Sequence, residues 1–353
     1  MRTPLPLMFL ALLGSLSLSA SAQTSYPQIL IPTGEGDYQF ADDYQTPWDE
    51  VEIFVTEKMS PNLYILHGSQ GIDRNHPDAS GGRAMVLFGP DGVLLVDTQN
   101  RQVAEKTYAA IRSFTDGPIR VLVNSHVHSD HTGANAFFGK QGALIFAQEN
   151  LQLDLIMPRP GGRPAQEPDT DGYPVVTYRY DPDKAGEPAV TLKMNGEIVD
   201  FIPMMPSHTA GDTVVRFRNA NVVYIEDFYR NFGYPFAAQT SGGSIRGMIE
   251  AIDLLQTIAG PDTWLIPGHG TLIHREDLLP YRAMVEDILN RVTRMRNDGM
   301  TLAQVLAANV TAPYDATTEG DTQESKDRFV TAVYDEVRDF PPIVNGRRDM
   351  PRR

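Results

Sequence analysis

The chain has 353 residues, no cysteine, and 45 acidic against 30 basic side chains, giving a formal net charge of −15 at pH 7. Without cysteine there is no thiol nucleophile, thiolate ligand, iron–sulfur cluster or disulfide, so stability must come from a buried core, which a chain this long can supply. The acidic balance argues against a nucleic-acid partner, because phosphate backbones are gripped by clustered Lys and Arg; Arg347, Arg348, Arg352 and Arg353, the densest basic group, read as a solvated tail.

The first residues, Met1-Arg2, lead into an apolar run over 4–18 and then Ser19-Ala20-Ser21-Ala22. This is the pattern of a secretory signal peptide over 1–22, cut after Ala22, so the chain is expected to be exported, periplasmic or secreted. No other stretch has the length of apolar sequence that a membrane span needs. Residues 23–50 are polar, with Pro, Gly and Asp punctuation, and read as an extended N-terminal arm.

Strand patterns begin at 51–56 and recur at 63–66, 84–88 and 93–96, the last two joined by the turn sequence Gly89-Pro90-Asp91-Gly92. Helical spacing over 103–114 precedes a short apolar strand at 120–123. A short helix is expected at 133–138 and a strand at 144–146. Residues 157–188, rich in Pro, Gly and Asp, are too long for an ordinary connection and read as an inserted loop. Strands resume at 189–192, 198–204, 213–217 and 222–225; a helix over 244–258, a strand at 264–266 and helices over 277–297, 302–308 and 324–337 follow. Two runs of strands, each punctuated by isolated helices, predict an α+β fold: an αββα sandwich of two mixed β-sheets flanked by helices. The catalytic domain is expected over 51–285, with a helical extension and tail over 286–353.

The strand at 120–123 runs into Ser125-His126-Val127-His128-Ser129-Asp130-His131. Imidazole nitrogens and a carboxylate oxygen without thiolates suit a catalytic zinc site rather than a structural one. His126 and His128, two apart in an extended segment, can hold one ion, while Asp130 and His131, where the chain turns toward a helix, can reach a second. Three further residues are needed to close two sites. His208, Asp227 and His269 each stand in a loop just after a predicted strand, where a sheet presents ligands at one rim.

The order His-x-His-x-Asp-His, then His, Asp and His, resembles the metallo-β-lactamase superfamily over roughly residues 50–280. The resemblance implies two zinc ions per chain: His126, His128 and His208 on one, Asp130, His131 and His269 on the other, with Asp227 bridging. One departure is Glu226-Asp227, where Gly-Asp is usual, which sets a carboxylate against the site. Tyr229-Arg230-Asn231-Phe232-Gly233-Tyr234-Pro235 and Ser241-Gly242-Gly243-Ser244 resemble a branch of secreted or periplasmic hydrolases in the same superfamily.

The expected chemistry is metal-assisted hydrolysis of a small molecule, with a metal-bridging hydroxide as nucleophile and Asp130 holding it in place. Esters, lactones or related acyl bonds fit most broadly; β-lactams and phospho- or sulfo-esters are the alternatives. Oxygen chemistry fits less well, because iron-binding members carry an acid where His128 stands. A non-catalytic metal-binding interaction module is opposed by the completeness of the ligand set, and a nuclease by the acidic charge and the export signal. Tyr229, Phe232, Tyr234 and Phe236 could line an entrance and His274 could touch substrate, whereas His67 and His76 read as structural or exposed.

Overall fold

The computed structural model describes residues 48–49, 51–68, 81–157, 169–231, 233–318 and 322–339. The expected signal peptide, nearly all of the arm, His76, residues 158–168 of the expected insertion, Phe232 and the Arg-rich tail lie outside the described residues.

Two sheets carry the fold. The first contains β1 (Ile53–Ser60), β2 (Leu63–Gly68), β3 (Ala84–Gly89), β4 (Gly92–Val96), β5 (Ile119–Val123), β6 (Leu144–Gln148) and β7 (Val176–Tyr178), side by side in chain order. Strands β1 to β4 are antiparallel hairpins, and β4 to β7 run parallel. The second contains β8 (Val190–Met194), β9 (Glu197–Pro203), β10 (Thr213–Phe217), β11 (Val222–Glu226) and β12 (Trp264–Pro267), antiparallel except for the parallel pair β11 and β12. Both sheets are thus mixed, and helices cover their outer faces.

Side-chain alternation builds three layers of core. Leu94 and Val96 of β4 point inward to meet Val215, Phe217 and Tyr224 of the opposite sheet, while Val93 and Leu95 point outward. The outward set of the first sheet packs on α1 (Ala104–Arg112) and α3 (Asn135–Gly139) through Ile111 and Phe138. Val214, Val223 and Leu265, outward on the second sheet, pack on α5 (Ile245–Ile258), α6 (Leu278–Asn297) and α8 (Gln323–Asp339), whose Ile252, Ile288 and Phe329 are fully buried. Each such side chain contributes about 1.5–3 kcal/mol of burial.

The structure departs from the sequence reading in two places. A helix, α4 (Glu149–Ile156), follows β6 directly, and part of the expected insertion is strand β7, hydrogen-bonded to β6. Both lack the usual pattern. In α4, Leu153 and Ile156 are exposed while Asp154 is buried, and β7 is a three-residue edge strand with its first two residues exposed. The remaining helices are α2 (Ser129–Thr132), a single turn beside the histidine cluster, and α7 (Leu302–Ala307). Among the described residues no helix is long and apolar enough to cross a membrane.

Candidate metal centre

The parallel strands β4 and β5 end together at one rim, and β9, β11 and β12 end there too, since β9 and β11 both run opposite to β10. The loops leaving these ends carry Asp97, the 125–131 cluster, His208, Asp227 and His269. All seven residues singled out in the sequence as ligands converge there. His126, His128, His208 and Asp227 form one group and Asp130, His131 and His269 another, and within each group the candidate donor atoms lie within 4.8 Å of one another. His126 and His128 are not in a strand: they occupy the bends between β5 and α2, with their ring centroids still only 4.7 Å apart.

Asp227 Oδ2 is the common centre. It lies 3.4 Å from Nε2 of both His131 and His269, 3.6 Å from His126 Nε2 and 3.8 Å from His208 Nε2. Asp130 Oδ2 accepts from His269 Nε2 at 2.9 Å and lies 3.5 Å from His131 Nε2.

The outer edges of the imidazoles are anchored, which turns their other nitrogens inward. His131 Nδ1 meets Asp97 Oδ2 at 2.8 Å, and His208 Nδ1 donates to the Phe236 carbonyl at 2.9 Å. His126 Nδ1 faces Ser125 Oγ at 3.1 Å. With Nδ1 directed at those partners, Nε2 faces the centre and is the nitrogen left to ligate. His126 Nε2, His131 Nε2 and Asp227 Oδ1 are buried there without a hydrogen bond of their own. Buried polar atoms left in that state cost free energy, which a bound cation would relieve, and an all-N/O donor set suits zinc. The residues therefore have the chemistry to hold metal ions.

Electrostatics point the same way. Burial disfavours charge on His126 and His208, and neighbouring imidazoles add to it, so both are held well below the ordinary histidine range, neutral and ready to ligate. Burial also opposes protonation of His131, but the carboxylates of Asp130, Asp227 and Asp97 outweigh it and hold that imidazole well above the ordinary range. Burial raises Asp130, yet His131 and His269 bring it down to about 2, and Asp227 is likewise held well below the usual carboxylate range by His269, His131 and His126. The site is built to contain positive charge.

Several supports escaped the sequence reading. Asp97, at the end of the wholly apolar strand β4 and at φ +59°, takes Ser125 N at 2.8 Å, Ser125 Oγ at 2.6 Å and Tyr224 Oη at 2.9 Å as well as His131. Asp212 accepts from Ser207 N, Ser207 Oγ and Thr209 N, bracing the turn that carries His208. The fully buried guanidinium of Arg83 donates to the carbonyls of Pro267 and Gly270, fastening the His269 loop. A Cβ on Gly82 would sit 2.2 Å from His131 Cε1, and one on Gly268 1.9 Å from Asp227 Oδ1. An acid ending an apolar strand was a visible signal for Asp97; Arg83 offered none.

Glu226 makes the turn that glycine usually makes. Its φ is +51°, and its Oε2 accepts from Asp227 N at 2.5 Å and stands 3.5 Å from His126 Nδ1. Burial, with Asp212 and Asp227 nearby, holds its carboxyl well above the ordinary range, so it sits against the ligands without adding a full charge.

The expected substrate contacts fare differently. Tyr234 is fully buried, stacked on Phe329 and hydrogen-bonded to Asp315, and Tyr229 packs edge-on against Tyr281; both are core residues rather than an entrance. His274 lies beside Trp264, at the far end of β12 from His269, with Nδ1 on the Thr263 carbonyl. Aromatic residues following a ligand loop can serve packing as readily as recognition, and here packing wins. Phe236, by contrast, is half-buried, with its ring 5.6 Å from that of His208 and 6.4 Å from that of His128.

Two mixed sheets between helices, with a seven-residue His/Asp cluster at one rim, define a metallohydrolase-type domain. Residues 77–225 match the family model of the metallo-beta-lactamase superfamily. Over that span the chain is similar to that superfamily. It is 28% identical over 147 residues to 2,4-dinitroanisole O-demethylase subunit alpha of Nocardioides sp. (strain JS1661), and 35% identical over 79 residues to linear primary-alkylsulfatase of Pseudomonas sp. (strain ATCC 19151). Those stretches are 41% and 20% of this chain and span only 40% and 15% of the two relatives. Among solved structures, a metallo-beta-lactamase from Pontibacter korlensis aligns with TM-score 0.54 at 18% identity, covering 67% of this chain and all of the other. A stereoselective inverting sec-alkylsulfatase from Pseudomonas sp. aligns with TM-score 0.57 at 18% identity, covering 80% of this chain and 50% of the other. At such identity the likeness is one of fold.

Proposed function

We propose that the protein is an exported zinc hydrolase holding two ions, which cleaves an ester, lactone or related acyl bond in a small molecule. The observation that carries this is the position of Asp227 Oδ2, within 3.8 Å of four imidazole nitrogens from four different residues. A carboxylate placed between both groups of imidazoles would serve both ions. His126, His128 and His208 would hold one ion, and Asp130, His131 and His269 the other.

Bound zinc supplies a water whose pKa is brought far below that of bulk water, to about 7, and polarises the oxygen of the scissile group. The chain's own part is orientation. Asp130, slightly more open to solvent than most of the set, is a poor proton acceptor with its carboxyl held at about 2. It is therefore suited to accept a hydrogen bond and aim the attacking water rather than to remove its proton. Asp97, Ser125 and the Phe236 carbonyl fix the imidazole planes from outside.

A sulfate ester is the second reading, supported by the sequence match to one alkylsulfatase and the fold likeness to another. Export rests on the sequence of residues 1–22. The test is a hydrolysis screen of zinc-loaded protein across carboxylic esters, lactones, β-lactams, phosphoesters and sulfate esters, with Asp130→Ala as control. Turnover lost in Asp130→Ala with an unchanged circular dichroism spectrum is expected. A fully metallated protein that turns over none of these classes would overturn the proposal in favour of a metal-binding interaction module.

A further inference from the structure

His131 is oriented from the end of β4 through Asp97, and His126 from its own loop through Ser125, but His208 takes its orientation from a segment outside both sheets. Its Nδ1 donates to the Phe236 carbonyl at 2.9 Å, and its own carbonyl accepts from Ala238 N at 2.8 Å. The turn around it is tied to the same segment: Ala210 N donates to the Ser241 carbonyl and Ser244 N to the Ser207 carbonyl, each at 2.8 Å. The approach is too close for side chains. A Cβ on Gly243 would stand 2.2 Å from the His208 carbonyl oxygen, and one on Gly247 1.7 Å from that of Pro206.

The segment 234–246 is held in turn by α8. At its start, Tyr234 N donates to Ser325 Oγ at 2.8 Å and the Tyr234 ring stacks on Phe329. In its middle, Gln239 Nε2 donates to the Ala332 carbonyl at 3.0 Å. At its end, the Glu336 carboxylate accepts from Ser244 Oγ at 3.0 Å, Ile245 N at 2.6 Å and Arg246 N at 3.0 Å. Ile245 and Arg246 open α5, where N–H groups have no partner within the helix, and the next, Gly247 N, is taken by Ser244 Oγ at 3.0 Å. A carboxylate at that place also meets the positive end of the helix dipole.

Ser325, Phe329, Ala332 and Glu336 recur every three or four residues, so one face of α8 makes all of these contacts. Ser325 and Glu336 are buried, and removing either leaves N–H groups of the segment without an acceptor and away from water. Both the segment and α8 lie outside the span matched by the family model. We propose that α8 is the outer brace of the metal centre: Ser325 and Glu336 are positioning residues that, through segment 234–246, hold the His208 imidazole toward His126, His128 and Asp227. The effect on a bound ion rests on the metal-site reading; the hold of α8 on His208 does not.

The experiment uses the full chain with and without zinc. Stepwise zinc competition against a chromophoric chelator separates two binding steps, and His208→Ala marks the step that depends on the three-histidine group. Ser325→Ala combined with Glu336→Ala should weaken that same step by about tenfold and leave the other within about twofold, tenfold being the lower end for removing the direct partner of a ligating histidine. Each single change should act in the same direction but less, and Glu336→Gln, which keeps one accepting oxygen, should stay nearer the wild type. Ile111→Ala opens a cavity on the opposite outer face of the sandwich; it should cost stability and move neither step. In the metal-free protein, amide hydrogen exchange at Ala210 and Ala238 should quicken by about tenfold or more in the double variant and not in Ile111→Ala. If the double variant does not fold, the single variants carry the same comparison. Two steps weakened alike, a His208-dependent step left unchanged, or unaltered exchange at Ala210 and Ala238 would overturn the brace. A wild type that takes up no zinc would overturn the metal-site reading, and exchange in the metal-free protein would then decide the brace by itself.

Discussion

Replacing Asp97 by Asn separates the support of the metal centre from the fold. Asn tolerates the left-handed backbone at φ +59° about as well as Asp, so the turn after β4 survives. Its carbonyl can still accept Ser125 N, but its amide nitrogen then occupies the place of Oδ2, facing His131 Nδ1 at 2.8 Å and Tyr224 Oη at 2.9 Å. A neutral His131 that ligates through Nε2 carries its proton on Nδ1, so donor faces donor. Ser125 Oγ, 2.6 Å from that position, can turn to accept from the amide, and Tyr224 Oη retains the Arg83 carbonyl at 3.0 Å, which limits the loss of stability to about 1–3 kcal/mol. Metal affinity should suffer more selectively, by about 10–100-fold, the usual effect of removing the partner behind a ligating histidine. Zinc competition with a chromophoric chelator measures the affinity, and urea unfolding of the metal-free protein measures the stability. Asp97→Asn binding zinc as tightly as the wild type, with the predicted stability loss present, would refute the claim that Asp97 orients His131.

Three more outcomes follow from the same geometry. Because the folded metal-free protein holds His131 well above the ordinary histidine range, zinc must displace a proton at neutral pH; apparent zinc affinity should rise with pH, by up to about tenfold per unit while that group remains protonated, and calorimetry in buffers of different ionisation enthalpy should detect the released proton. Gly268→Ala drives a Cβ to within 1.9 Å of Asp227 Oδ1 and should lower zinc content without abolishing folding, as judged by metal analysis and circular dichroism; full metal content in that variant would show the bridge to be more yielding than its packing implies. His274→Ala should leave kcat and KM within about twofold of the wild type and cost at most about 1 kcal/mol, since its contacts are Thr263 and Trp264 at the opposite end of β12; a large KM increase would return His274 to the substrate.

Much of this arrangement was readable in the sequence because the ligands are tied to strand ends. Alternating apolar residues marked the strands, and strands ending at one rim turn sequence-distant His126, His208 and His269 into spatial neighbours. What stayed hidden had no periodic signature. Helix α4 exposes Leu153 and Ile156, so its amphipathic pattern is weak, and β7 is too short and exposed to alternate clearly. Arg83 is an unremarkable basic residue in sequence, and its function lies in carbonyls 184 and 187 residues away. Tyr229 and Tyr234 illustrate the opposite error: their nearness to Asp227 in sequence suggested an entrance, but α6 and α8 cover them from a part of the chain whose docking no local pattern reveals. The unusual Glu226 was visible, yet only the structure shows that it adopts the left-handed turn and receives the amide of Asp227.

The central claim is a pair of ions shared through Asp227, and zinc stoichiometry tests it most directly. Inductively coupled plasma analysis of zinc-loaded, desalted protein should give two zinc per chain in the wild type and a value near one in His269→Ala, which removes a ligand from a single group. One zinc or none in the wild type, or two in His269→Ala, would contradict the account.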